Sequence, residues 1–199
     1  MRKLGINDYS VIDISGIDDI KSINERNDCI EIGAAVTMDI LEKSKLIRLH
    51  GNALAEAASK VGSTQIRNRA TIGGNIANAS QCADTVTAGC ALGAKVLLVN
   101  SEGKIRDIKL EDFVTGIGST QIKQDEMLYK VVIPKNERTT FSSFSKVGSR
   151  KNVATSKINH AIQVTITNDF VHDIKIYFGS IGPKTVRAVS MEDQCVGKL

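Results

Sequence analysis

The order of apolar and polar positions first marks out short β-rich stretches. Apolar residues alternate with polar ones, or stand together, in Val11–Ile17 and Cys29–Val36, with the polar segment Glu25–Asp28 before the second. Such short runs, bounded by turn-forming residues, predict β-strands. Lys95–Leu110 has the same character on both sides of a Ser-Glu-Gly turn and predicts a hairpin. Met127–Pro134 predicts another strand, which its proline ends.

Helical spacing of small and apolar residues predicts three helices in the first half of the chain. Thr37 can cap a helix over Met38–Ile47, because its hydroxyl can accept a hydrogen bond from the first turn. Asn52–Val61 carries its apolar residues on one helical face, and Gly62 is a plausible stop. Ala83–Ala94 is rich in small residues and is also predicted to be helical.

The second half of the chain has a different pattern. Thr140–Asn152, Thr155–Asn168 and Phe170–Ile181 alternate as three strands of an antiparallel meander. A Gly-Pro pair then breaks the sheet, and Val186–Val196 begins what resembles a helix. With a boundary near Pro134–Thr139, the pattern predicts an α+β protein of two domains, residues 1–136 and 137–199.

Composition and charge exclude several classes of protein. The 199 residues are 42% hydrophobic and 24% charged, with a formal net charge of +4. Basic residues are scattered without interleaved aromatics, so we expect no nucleic-acid partner. No apolar run approaches the ~18 residues needed to cross a bilayer, and the first ten residues lack the apolar region of a signal peptide. We therefore expect a cytoplasmic protein without a membrane partner.

The reactive residue types form no recognisable constellation. The four cysteines lack metal-ligand spacing, so in a reducing compartment we expect free thiols and no metal site. The three histidines lie far apart in sequence. No nucleophile elbow, zinc-binding motif or Walker lysine is present. We accordingly predict no catalytic acid, base or nucleophile in this chain.

The segment Asn68–Asp84 is the strongest candidate for binding chemistry. Gly73 and Gly74 lack two consecutive Cβ atoms, which allows positive φ angles and a nest of N–H groups that favours an anion such as pyrophosphate. Further neutral donors stand nearby, on Thr71, Asn75 and Ser80. A tight turn without a ligand explains the two glycines equally simply. Asp84, after the loop, could accept a bond from a ribose hydroxyl or could cap a helix.

A second group of candidates is basic. Lys146, Arg150 and Lys151 cluster on a predicted strand and its end. They could form a solvated edge that prevents strand pairing, or one cation could face a flavin or phosphate. Spacing alone does not distinguish the two.

Ala55–Asp84 closely resembles the flavin-binding segment of the molybdenum hydroxylase family, which includes xanthine dehydrogenase and carbon monoxide dehydrogenase. The resemblance extends over nearly the whole chain. Further segments resemble the family's medium, FAD-binding subunit in the same order: Val11–Ile17, Ile30–Leu41, Leu110–Thr120, Asp125–Pro134, Phe144–Ile158 and Ile176–Ala188.

The resemblance implies a fold and a set of cofactor-binding residues. Residues 1–136 resemble the PCMH-like FAD-binding domain, a mixed or antiparallel sheet with helices, and residues 137–199 the small antiparallel-sheet domain at the carboxyl end of carbon monoxide dehydrogenase flavoproteins. In the family, two glycine loops grip the pyrophosphate of FAD. The second loop matches Thr71, Ile72, Gly73, Gly74 and Asn75. Other implied contacts are Gly62, Asp84, Leu128, which lines the flavin or adenine side, and Lys146, near the isoalloxazine ring.

Three departures from the family pattern stand out. The family's first pyrophosphate loop and its β-α-β unit should precede Val11–Ile17, and this chain begins too late to contain them. The last helices of the carboxyl-terminal domain also have no counterpart. Gln81 stands where many relatives have proline. We therefore expect a chain that is truncated at both ends relative to the family, in which FAD affinity is reduced.

The implied function is electron transfer without a catalytic side chain. A large molybdopterin-binding subunit oxidises the substrate, a small subunit carries two [2Fe–2S] clusters, and FAD on this subunit passes electrons to NAD⁺ or another acceptor. Xanthine or a related N-heterocycle is the expected substrate of the complex. Two alternatives stay open: a non-catalytic scaffold that no longer binds FAD, and a free-standing flavin reductase.

Overall fold

The computed structural model describes residues 11–137, 139–150 and 153–198, which form two antiparallel sheets with helices packed against them. The first sheet has the strand order β1-β2-β7-β3-β4, and every neighbouring pair is antiparallel. Its strands are β1 (Ile23–Glu25), β2 (Cys29–Gly33), β3 (Lys95–Asn100), β4 (Ile105–Lys109) and β7 (Glu126–Pro134). A two-stranded ribbon, β5 (Val114–Gly116) with β6 (Ser119–Thr120), lies between β4 and β7 in the chain.

The second sheet follows in the chain and has the order β11-β10-β9-β8, again antiparallel. Its strands are β8 (Thr140–Gly148), β9 (Ser156–Thr167), β10 (Phe170–Gly179) and β11 (Val186–Arg187). On β9 the inward positions Asn159, Ala161 and Gln163 are buried, while the intervening residues are partly exposed. This period of two is what a half-buried antiparallel sheet requires.

Short helices occupy most of the chain between β2 and β3. They are α1 (Met38–Lys43), α2 (Lys45–His50), α3 (Asn52–Ser59), α4 (Thr64–Arg67), α5 (Ile72–Ala77) and α6 (Asp84–Ala91). The remaining two are α7 (Leu110–Phe113) and α8 (Val189–Cys195), and a 3-10 turn spans Asp18–Ile20. Helices α5 and α7 contact the first sheet, whereas α3 and α6 contact the second. One continuous apolar core joins them, from Ile30 and Val96 of the first sheet to Phe144 and Ala161 of the second.

Most of the predicted elements are confirmed. The hairpin over Lys95–Leu110 is β3 and β4, the strand before Pro134 is β7, and the meander is β8, β9 and β10. The helix predicted over Ala83–Ala94 is α6, and the last predicted helix is α8. The α+β class with antiparallel sheets is therefore confirmed.

The strand predicted over Val11–Ile17 is wrong. These residues form no strand, and the side chains of Val11 and Ile12 are 87% and 83% exposed. The edge of the first sheet is occupied instead by β1, which pairs with β2 through a turn in which Arg26 N–H donates to Cys29 O. A β-like composition alone does not make a strand, since the run must also find an open edge.

The single helix predicted over Met38–Ile47 is two helices. Thr37 caps α1 as expected, since its Oγ1 accepts from Ile40 N–H at 3.4 Å. Ser44 then leaves the helical conformation, with φ −67° and ψ 117°, and its Oγ accepts from Ile47 N–H at 3.3 Å. A second capping residue, Ser44, lies inside a continuous apolar pattern, where it ends α1 and begins α2.

Candidate functional site

The two adjacent glycines of the candidate loop lie in the first turn of α5. Thr71 is the N-cap, and its Oγ1 accepts from Gly74 N–H at 3.1 Å. Neither Gly73 nor Gly74 has a positive φ angle. The positive φ angles that the two glycines allow are therefore not adopted, because Thr71 caps a right-handed helical turn that contains both.

Packing explains why position 73 requires glycine. A Cβ at Gly73 would lie 2.6 Å from the Cβ of Ala34 and 2.8 Å from its carbonyl oxygen. The helix thus approaches the end of β2 more closely than any side chain would allow. Gly74 differs, since a Cβ there would meet only Thr71 Oγ1, at 3.1 Å. Gly73 has a structural role, whereas Gly74 is exposed and leaves open space outside the helix.

Hydrogen bonds within the protein already occupy most N–H groups of this turn. Ile72 N–H donates to Val36 O at 3.0 Å, and Gly73 N–H donates to Ala34 O at 2.9 Å. Asn75 N–H donates to Thr71 O at 3.0 Å. Only Gly74 N–H is bonded to a side chain, and the Thr71 hydroxyl that accepts from it keeps its own proton for another partner. The Thr71 hydroxyl is therefore the donor that this turn offers to a ligand.

One side of α5 borders a cavity of about 670 Å³, which we name the Leu128 cleft. Thr71, Gly73 and Gly74 line it from α5, and Leu128 lines it from β7. The other residues of its wall include Ile14, Lys21, Ala34, Ala35, Thr37, Asn68, Arg69, Glu126 and Met127. The wall is mainly apolar, and its charged residues are two cations, Lys21 and Arg69, and two carboxylates, Asp13 and Glu126. An apolar cleft with a few polar groups is typical of a small-molecule or cofactor site.

Among the carboxyl groups that line this cleft, Glu126 has a strongly lowered pKa. Arg106 donates to it twice, through Nε at 2.6 Å and Nη2 at 2.7 Å, and lowers the pKa of Glu126 to about 2. The backbone N–H of Lys123 donates to the same carboxylate at 2.9 Å and acts in the same direction. Glu126 is therefore a fixed anion that holds β7 to β4.

The other side of α5 borders a second cavity, of about 390 Å³, which we name the Lys146 cleft. Its wall contains Gly62, Asn75, Asp84 and Lys146. Asn75 Oδ1 accepts from the Thr85 hydroxyl at 2.6 Å, so its amide nitrogen is the end that can face a ligand.

Asp84 and Lys146 form a buried ion pair at the base of the Lys146 cleft. Their side chains are 6% and 12% exposed, and Lys146 Nζ lies 2.7 Å from Asp84 Oδ2. Ser156 Oγ and Asn159 Nδ2 donate to Asp84 Oδ1, at 2.6 and 2.9 Å. A buried carboxylate needs such partners, because an unpaired charge in this position would be strongly destabilised.

Lys146 also donates its other two ammonium protons to backbone oxygens of the protein. Its Nζ donates to Lys60 O at 2.7 Å and to Ala154 O at 3.2 Å. It therefore joins β8 to the end of α3 and to the segment before β9.

Asp84 lies in the first turn of α6, whose N-cap is Ala83, so the alternative of Asp84 as an N-cap is wrong.

The predicted site residues thus divide between the two clefts. Thr71, Gly73, Gly74 and Leu128 line the Leu128 cleft, and Gly62, Asn75, Asp84 and Lys146 line the Lys146 cleft. The side chain of Ile72 is fully buried in the core. Of the basic candidates, Arg150 donates to Val153 O through Nε and Nη2, and Lys151 lies outside the described residues.

Sequence reasoning missed several residues that build the site. Ser156 and Asn159 donate hydrogen bonds to Asp84. The sequence signal for them is that polar residues stand at buried positions of β9. Thr37 was found as a cap, yet it also forms a bridge with Thr71 and lines the Leu128 cleft. Arg69 also lines the Leu128 cleft, and no sequence motif around it indicates this position.

Two further properties concern only the part of the chain that the structure describes. Within it, no group of three or more histidine, cysteine, aspartate or glutamate side chains is arranged to hold a metal ion. None of the helices in residues 11–137, 139–150 and 153–198 combines the length and the apolar character that a bilayer crossing requires.

Comparison with protein families gives two matches that together span most of the chain. The model described as the FAD binding domain in molybdopterin dehydrogenase matches residues 1–136. The model described as the CO dehydrogenase flavoprotein C-terminal domain matches residues 143–199.

Individual relatives agree with these matches. The nicotinate dehydrogenase FAD-subunit of Eubacterium barkeri is 38% identical over 159 residues, which are 78% of this chain and 53% of the relative. The xanthine dehydrogenase FAD-binding subunit of Escherichia coli O157:H7 is 29% identical over 184 residues, 92% of this chain and 63% of the relative. The chain thus spans between half and two thirds of the length of these two relatives.

A solved structure shows the same architecture. Carbon monoxide dehydrogenase from Hydrogenophaga pseudoflava, in a form that lacks the Mo-pyranopterin moiety, superposes with a TM-score of 0.87 at 26% identity. The match covers 93% of this chain and 64% of that chain.

Proposed function

The chain belongs to the family of FAD-binding domains of molybdopterin dehydrogenases, and on that premise we propose that it is the electron-transferring flavin subunit of a molybdenum-containing dehydrogenase. FAD is the cofactor of this family. The observation that carries the proposal is the first turn of α5, where the exposed Gly74 lines the Leu128 cleft and the next residue, Asn75, lines the Lys146 cleft. A long cofactor with phosphates at its centre suits two clefts on either side of a helix turn whose exposed glycine leaves room for the phosphates.

The residues present fit FAD, and we propose how they hold it. The phosphates lie at the turn Thr71–Asn75, where the Thr71 hydroxyl can donate to them. Arg69 and Lys21, which also contacts Asp18, are the cations that face their charge. Leu128 is nearly buried and supplies an apolar wall for the adenine side. Ile72 contributes by packing, since its N–H is bonded to Val36 O.

The flavin side is proposed to occupy the Lys146 cleft. Gly62, with a φ of +49°, lets the backbone after α3 turn at the cleft wall without a side chain. Asp84 and Lys146 meet the cofactor as an ion pair, so the cleft offers it a dipole rather than a bare cation. FAD, when bound, supplies one-electron acceptance and two-electron delivery, and the protein's residues bind and orient it.

Partners and acceptor follow from the family resemblance and the substrate class from the relatives' names, and all three are proposals. We propose a large molybdopterin-binding subunit and a small [2Fe–2S] subunit as partners, and NAD⁺ as a candidate acceptor. An N-heterocycle is the proposed substrate class, since relatives are named for nicotinate and xanthine. The four cysteines are free, which supports a reducing, cytoplasmic location.

The test is flavin retention by purified chain reconstituted with FAD. We expect a flavin absorption band from the parent protein. We expect Gly74→Val to lose it, because the branched side chain would occupy the space beside Thr71 Oγ1 where a phosphate must approach. Gly116→Val is the matched control, since a Cβ there meets only Ser119 Cβ, at 3.9 Å.

The outcomes separate the proposal from its rival. Equal flavin retention by Gly74→Val and the parent would show that this turn is not the phosphate site. Absence of flavin from the parent, with a cooperative fold, would favour the scaffold that no longer binds FAD. Circular dichroism of both variants shows whether the fold is retained.

A further inference from the structure

A third cavity lies between the two sheets, at the opposite end of α6 from the Lys146 cleft. Its volume is about 260 Å³, and the C-terminal end of α6 forms part of its wall through Cys90 and Gly93. We name it the junction pocket. It shares no lining residue with either the Leu128 cleft or the Lys146 cleft.

Four cations line this pocket, two from each sheet. Lys95 and Lys109 come from the paired ends of β3 and β4, and Lys175 and Arg187 come from β10 and β11. Glu111 is the one carboxylate in the lining. Like charges brought together across a junction repel one another, and the repulsion is largest inside a partly enclosed cavity.

The carboxylates around the pocket neutralise only part of this charge. Lys95 lies 2.8 Å from Asp107, and Arg187 Nη2 lies 3.1 Å from Glu192. Lys109 has only a 4.0 Å approach to Glu111.

Lys175 is the least compensated cation of the four. It is half-buried, and its Nζ has one hydrogen bond, to the neutral Gln163 Oε1 at 3.5 Å. Within residues 11–137, 139–150 and 153–198 it has no carboxylate within salt-bridge distance. The stem of Lys175 is partly buried while its ammonium lacks a carboxylate, so this cation is the one most open to an anion from outside the chain.

The negative end of the α6 dipole does not account for the whole cluster. A cation at the last turn of a helix is favourable, and Lys175 Nζ lies near Gly93, just beyond α6. The effect decays within one turn, however, and Lys95 and Lys109 extend from the strand ends of the first sheet.

Glu111 is already engaged within the wall. Its Oε2 accepts from the Tyr177 hydroxyl at 2.6 Å, and the Arg187 guanidinium lies 6.0 Å from the centre of the Tyr177 ring. Tyr177 therefore holds Glu111 at the wall, and the more exposed Lys109 side chain and the partly buried Lys175 side chain line the same cavity.

We propose that the junction pocket binds a phosphate group, either as free phosphate or as a small phosphate monoester. A tetrahedral dianion can accept bonds from Lys109 and Lys175 together, and it would join the first sheet to the second. A cavity of about 260 Å³ lies just under the usual range of small-molecule sites, so the organic part of a monoester must be small.

Calorimetric titration of the chain with inorganic phosphate, and separately with glycerol phosphate, tests the proposal at constant ionic strength. We expect saturable binding, weakened at least about tenfold by the double variant Lys109→Met/Lys175→Met, since both charged hydrogen bonds to the phosphate are lost. Tighter binding of glycerol phosphate identifies a monoester site, and equal binding identifies a site for free phosphate. Lys45→Met, an exposed lysine at the start of α2, is the matched control and should bind like the parent.

Two results would overturn the assignment. One is no saturable binding of either probe by the parent. The other is unchanged phosphate binding by the double variant when circular dichroism shows that it is folded. Repeating the titration with FAD-loaded chain separates this site from the flavin site, because occupancy of the clefts around α5 should leave the junction pocket open.

Discussion

The ion pair of Asp84 and Lys146 shows, at the scale of single residues, how two binding candidates became structural partners. They are 62 positions apart in sequence and meet 2.7 Å apart, with side chains that are 6% and 12% exposed. Removing one charge leaves the other buried and unpaired, at a cost of about 3–5 kcal/mol. The pair therefore has a structural role whether or not a flavin lies beside it.

We expect Asp84→Ala to lower the free energy of unfolding by about 3 kcal/mol or more, measured by urea denaturation. The double variant Asp84→Asn/Lys146→Met should recover part of that loss, because it removes both charges and keeps most of the volume. A double variant no more stable than Asp84→Ala would show that the charge pairing is not the source of the effect.

Glu126 predicts a pH dependence. Its folded pKa of about 2 lies below its ordinary value of 4.5, because Arg106 donates to it. Its contribution to stability is thus complete above pH 4.5 and is lost as pH falls towards 2. Glu126→Gln should flatten the decline of the urea midpoint across this window.

The matched control for this pH dependence is Glu102→Gln, which changes a carboxylate that is 66% exposed in the β3–β4 turn. This variant should follow the parent curve across the same window. If Glu126→Gln also followed the parent, the Arg106 pair would not contribute to acid sensitivity.

At the scale of elements, capping chemistry explains why the helices between the sheets are short. Thr37, Ser44, Ser63 and Thr71 each accept a hydrogen bond from the N–H group three residues on, and each begins a new helix. The chain can then turn sharply at each cap and present Thr71–Gly74 beside the end of β2.

Ser44 tests this explanation. Ser44→Ala removes the hydroxyl that caps α2, and we expect a loss of about 1 kcal/mol in the free energy of unfolding. Ser44→Thr keeps a hydroxyl and should stay within a few tenths of a kcal/mol of the parent. If Ser44→Ala were as stable as the parent, the break between α1 and α2 would depend on the packing of Ile47 and not on the serine cap.

At the scale of the whole molecule, the two sheets share one core. Phe144 of β8, Ala161 of β9 and Tyr177 of β10 belong to the same buried cluster as the strands of the first sheet. Glu56 of α3 strengthens the contact, since its carboxylate accepts from Phe144 N–H at 2.7 Å and from the Ser143 hydroxyl at 3.0 Å. We still propose two domains, residues 1–136 and 137–199, with a closely packed interface.

A shared core predicts one cooperative unfolding transition in calorimetry. Phe144→Ala should lower the stability of the whole chain by about 3–5 kcal/mol, because it leaves a cavity between α3 and the second sheet. Phe141→Ala is the matched control, since that side chain is 57% exposed. Two separate transitions in the parent would contradict a common core.

Local chemistry made much of this structure predictable. The β3–β4 hairpin, the β8–β10 meander and the Thr37 cap follow from periodicity and capping within a few residues, because these interactions depend on near neighbours. The resemblance across the chain likewise indicated the family before any contact was known.

By itself, then, the sequence determined the α+β class, most strands and helices, and the family. Only the tertiary structure decided that Val11–Ile17 is not a strand and that Asp84 pairs with Lys146. It alone also showed that position 73 must be glycine because Ala34 packs against it. The physical reason is distance along the chain. Sheet edges, close backbone approaches and buried charge pairs depend on residues tens of positions apart, and no local pattern records which of them will meet.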